Sequence, residues 1–80
     1  MMSLNLLHNS YNMEIKVHLV TKSKNKNSSP TTFEPKLIYS MREYNQGKPE
    51  QYTTVALISG REIDVWESMQ QIRQLEKEMV

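Results

Sequence analysis

Two histidines, one aspartate and no cysteine are what this 80-residue chain brings to catalytic chemistry. A hydrolytic triad needs a nucleophile beside a base that a third group orients. Here His18 falls in an alternating, strand-like stretch while the serines crowd polar segments and turns, so no such trio is marked. Metal binding has no better pattern. His8, Glu14 and His18 lack the one-turn histidine spacing of motifs such as H-E-x-x-H, and without cysteine there is no thiolate zinc site. The only glycines, Gly47 and Gly60, build no phosphate-cradling loop. The expectation is a non-catalytic binding module with no cofactor and no metal.

The cations are more suggestive. Through Lys48 there are seven basic residues against three acidic ones, and from Pro49 onward three against six. Such a division predicts a basic surface on the first half and an acidic one on the second. If odd positions of the first strands face the core, even positions present Lys16, His18, Lys22, Lys36, Ser40, Arg42 and Tyr44 together, with Lys24, Lys26 and Lys48 extending the surface from loops. Cations beside an aromatic on a sheet neutralise phosphates and bring side chains to bases. Lys16, His18, Lys36, Arg42, Tyr44 and Lys48 are therefore the candidate nucleic-acid-binding residues.

The elements that must position them follow from periodicity. Residues 1–12 show no clear period and read as an arm; residues 13–80 read as one α+β domain. In 13–22, Met13, Ile15, Val17 and Leu19 alternate with Glu14, Lys16 and His18, the pattern of a half-buried strand. Residues 22–32, without an apolar side chain, read as a loop. Alternation resumes over 33–44, with Phe33, Pro35, Leu37, Tyr39 and Met41 on one face. A turn at 45–49 around Gly47 leads to a third, nearly continuous apolar strand at 51–58.

Ser59-Gly60-Arg61-Glu62 matches the S-x-x-E capping box, so a helix is expected from there to the C-terminus. On a helical wheel Val65, Ser68, Ile72, Leu75 and Met79 form a seam that Trp66 and Met69 widen. The predicted fold is a three-stranded antiparallel sheet followed by one C-terminal amphipathic helix.

Residues 39–44, the Gln46-Gly47-Lys48 turn, a further strand and the run from Ser59 to Trp66 together resemble the N-terminal arm-binding domain of phage and transposon integrases. The resemblance covers residues 39–66, with Ile63 where that family usually has a small residue. It implies a three-stranded sheet and a helix, with the sheet entering a DNA groove through Lys36, Arg42, Tyr44 and Lys48.

A second reading starts from the helix. Val65, Ile72 and Met79 recur every seven residues, a short coiled-coil-like seam. Trp66, Met69 and Ile72 then form a partner interface, for a homodimer or for docking on another protein, with a strand edge as the other contact surface. The missing cysteines, an N-terminus without a basic leader, and a longest apolar run of only 55–58 predict a soluble cytoplasmic protein. A nucleic-acid-binding regulator is the first expectation; a protein-interaction module is the alternative.

Overall fold

The structure, a computed structural model, describes residues 14–23 and 25–78. The expected arm at 1–12, Lys24 and Met79 lie outside them. The elements are β1 (Ile15–His18), β2 (Pro30–Phe33), a 3-10 turn (Pro35–Leu37), β3 (Ile38–Tyr44), β4 (Tyr52–Leu57), β5 (Glu62–Val65) and α1 (Met69–Lys77). β1 and β2 form an antiparallel pair, and β3-β4-β5 an antiparallel three-stranded sheet. An antiparallel bridge between Leu19 and Val65 joins the two. Around it the Trp66 N–H donates to the His18 carbonyl at 2.8 Å and the Val20 N–H to the Asp64 carbonyl at 2.9 Å. The end of β1 thus meets β5, so the two sheets adjoin without merging into one.

Alternation explains which side faces in. Ile15 and Val17 of β1, Phe33 of β2, Val55 of β4 and Val65 of β5 are buried, and Ile72 of α1 completes the cluster. Leu19, Ile38, Met41, Leu57, Ile63 and Leu75 pack around it. The helix lies against β1 and β3.

The α+β class, the antiparallel pairing and the C-terminal helix agree with the sequence reading. The single three-stranded sheet does not, and each departure has a local cause. Residues 30–32 lack apolar side chains, yet Thr31 and Thr32 pair with Val17 and Lys16. A ladder needs backbone groups and tolerates Pro30 as the first residue of an edge strand. The single strand expected over 33–44 is interrupted because Pro35 starts a 3-10 turn closed by the Leu37 N–H on the Glu34 carbonyl at 2.9 Å. A bulge between Ile38 and Ser40 then shifts the parity of β3. Tyr39, expected inward, is 77% exposed.

The largest correction concerns the helix start. Residues 58–61 form the β4–β5 hairpin turn. The Gly60 N–H donates to Leu57 at 2.9 Å, the Leu57 N–H to Arg61 at 2.8 Å, and Gly60 adopts φ +95°, a conformation that suits glycine. Ile63 and Val65 alternate with Glu62 and Asp64, and pairing this run with β4 sets Ile63 opposite Val55. A β-branched alternating run gains more from that ladder than from a first helical turn. The cap is Ser68 instead: its oxygen accepts the Gln71 N–H at 3.1 Å and its own N–H donates to Gln71 Oε1 at 2.8 Å, a complete capping box. Ser68→Ala is expected to lower stability by about 1 kcal/mol. Ser59→Ala, in an exposed turn, should stay within about 0.5 kcal/mol. Urea unfolding of the two variants checks this; equal losses would contradict the Ser68 cap.

Candidate functional site

The outward face of β3-β4-β5 carries Arg42, Thr54 and Asp64 in one cross-strand row and Ser40, Ala56 and Glu62 in the next. Arg42 donates to the Tyr44 hydroxyl at 3.3 Å, and Tyr44 stacks on Tyr52 with ring centroids 5.1 Å apart. Thr54 donates to Asp64 at 2.6 Å. The hydrogen bond and charge of Tyr44, and then Glu62, raise the Arg42 pKa above its usual value. The cation therefore shares its face with two carboxylates. The basic face expected from β3 carries more acid than base here, because residues 62–65, read as helix, are the strand that brings Glu62 and Asp64 beside Arg42.

The other candidate cations are dispersed. Lys16 is exposed on β1, opposite Thr32. Lys36 lies in the 3-10 turn, 3.9 Å from Glu34. Lys48 is exposed in the β3–β4 turn, its N–H donating to Asn45. His18 is taken up internally: its backbone N–H donates to Glu67 Oε1 at 2.8 Å and its ring Nδ1 lies 2.7 Å from Glu67 Oε2. Of the six candidates, only Arg42 and Tyr44 share a side-chain hydrogen bond.

The candidate partner interface also divides. Ile72 is fully buried and belongs to the core, which corrects its assignment to a docking surface. Trp66 is half-buried, with the Lys26 ammonium 5.2 Å from its ring centroid, a distance at which the ring attracts a cation. Met69 is half-buried at the first position of α1 and faces a different feature, a groove between α1 and β3.

Glu43 sets one end of that groove. It points to the core side, opposite buried Thr53, and its carboxylate accepts from Gln46 at 2.8 Å, Gln51 at 3.0 Å and the Met69 N–H at 3.2 Å. A carboxylate there satisfies a free helix N–H and complements the helix dipole. Beyond it Arg73 and Glu76 sit beside Ile38, Tyr39 and Met41, so α1 runs antiparallel to β3. Two hollows follow this line, of about 530 Å³ from Glu43 and Met69 to Lys77 and about 250 Å³ between Ile38–Tyr39 and Glu76, and Arg73 borders both. β3 pairs with β4 on one side only; among the described residues no strand covers its other edge. Glu43, Arg73 and the edge of β3 were not distinguished by sequence. Their signal is tertiary, since Glu43 reads as an ordinary strand carboxylate until the helix start is moved to Ser68.

Among the described residues no group of three or more His, Cys, Asp or Glu side chains is placed to hold a metal ion. No described helix is long and apolar enough to cross a membrane. Comparison with protein-family models, curated proteins and solved structures returns no match to this chain.

Proposed function

We propose that this chain is a protein-interaction module that receives an extended segment of a partner along the edge of β3 that no described strand covers, beside α1. The observation that carries this reading is the combination of a strand that, among the described residues, is paired on one side only and a helix that packs against it and runs antiparallel to it. The outward N–H and C=O groups of such a strand template a further strand. The neighbouring helix supplies side-chain pockets for alternate residues of that strand. Exposed Tyr39 and Ile58, at 77% and 64%, add apolar contact near the bulged end.

Nucleic-acid binding is the second reading, supported by the Arg42–Tyr44–Tyr52 cluster, since stacked aromatics beside a cation suit unpaired bases. Glu62 and Asp64 on the same face oppose phosphates, which is why the edge of β3 is preferred. Amide chemical shifts of the full chain, titrated with selected extended peptides and with duplex and single-stranded oligonucleotides at two salt concentrations, decide between them. Peptide-induced shifts along β3 and α1 are expected. Oligonucleotide-induced shifts centred on Arg42 and Tyr52, steeply weakened by salt, with no peptide selected, would overturn the proposal.

A further inference from the structure

The groove's charges narrow the partner's chemistry. Glu43 is occupied by three donors, Glu76 borders the smaller hollow and not the larger one, and Gln70 and Gln74 are neutral. Arg73 and Lys77 border the larger hollow, are exposed and are in neither salt bridge found among the described residues. Lys77 also complements the helix C-terminus; Arg73, in mid-helix, has no such role. Met69, Arg73 and Lys77 are spaced four residues apart and line the same hollow.

That spacing is commensurate with a strand. Four helical residues advance about 6 Å, and two residues of an antiparallel strand advance about 6.8 Å. Alternate side chains of a strand added to β3 therefore meet Met69, Arg73 and Lys77 in turn, within the reach of long cationic side chains. Antiparallel pairing is the more stable ladder. A strand antiparallel to β3 runs in the same direction as α1, because α1 opposes β3. Resting on the strand-addition reading above, we infer that the partner is an acidic extended peptide of pattern apolar-x-acidic-x-acidic, read from its N-terminus, with the apolar residue over Met69 and the two carboxylates on Arg73 and Lys77.

Three ten-residue peptides test this against the full chain: one with a Leu-Thr-Glu-Thr-Glu core, one with Gln for both Glu, and one with the acids moved to the alternate positions. Amide shifts report the site and the affinity, and light scattering reports the mass. The first peptide is expected to bind roughly fivefold or more tightly than the others, from two partly exposed ion pairs, with the advantage shrinking in salt. Arg73→Glu with Lys77→Glu, both exposed, should transfer the preference to a peptide with Lys in place of Glu. Equal binding of all three peptides at β3 would overturn the acidic pattern and leave strand addition standing. No shift along β3 with any peptide, or a dimer of this chain closing that edge, would overturn both.

Discussion

Ile72→Ala is expected to remove a large share of the stability of this chain, whereas Ile58→Ala should scarcely change it. Ile72 is fully buried, at the point where α1 meets Ile15, Val17, Val55 and Val65. Truncating a buried isoleucine to alanine costs about 2–5 kcal/mol, from lost transfer energy and the cavity left behind. A domain of this length has roughly 4–12 kcal/mol in total. The helix contributes a single fully buried side chain, so no other residue of α1 compensates. Urea unfolding at a slope of about 1 kcal/mol/M should show the midpoint falling by about 2–5 M. Ile58, 64% exposed, should stay within about 0.5 kcal/mol. Comparable losses at the two positions would contradict the placement of α1.

The second large effect is expected at Thr53, the one buried polar side chain among the described residues. Its hydroxyl donates to the Glu67 carbonyl at 2.7 Å, while the Glu67 carboxylate receives the His18 backbone N–H and contacts the His18 ring. Glu67 thereby ties the segment between β5 and α1 to both β4 and β1. Thr53→Val keeps the shape but removes the donor, leaving a carbonyl without its partner. Such a loss costs about 1–3 kcal/mol. Thr54→Val, which breaks only the exposed bond to Asp64, should cost less than about 1 kcal/mol. A Thr53 variant no less stable than the Thr54 variant would show that the Glu67 tie is not holding this segment.

These two residues illustrate what sequence can and cannot express. Ile72 stood out because the apolar residues of α1 recur at the helical period, which marks a face to bury but does not say whether the core or a partner covers it. Thr53 did not, because a threonine in a strand has the same local signature whether it faces water or the Glu67 carbonyl. The same limit applies to Glu43. Its partners Gln46 and Gln51 are close in sequence, but the N–H it accepts from Met69 exists only once the chain has folded back.

By itself the sequence determined the α+β class, a strand within 13–22 and another within 51–58, the turn around Gly47, the lower half of the C-terminal helix, and the paucity of catalytic groups. Each is a local property: alternation, a positive-φ glycine, a helical stripe, an inventory of side chains. Tertiary structure decided where the helix begins, since Ser59 and Ser68 each head a capping-box pattern and only the pairing of β5 with β4 excludes the first. The same pairing sets Glu62 and Asp64 beside Arg42, so the charge of the sheet face was decided with it. The Tyr39 bulge, the strand formed by apolar-poor residues 30–32, and the groove between β3 and α1 are decided at that level too. Each depends on a hydrogen-bond or packing partner distant in the chain, and a local pattern does not record which partner wins.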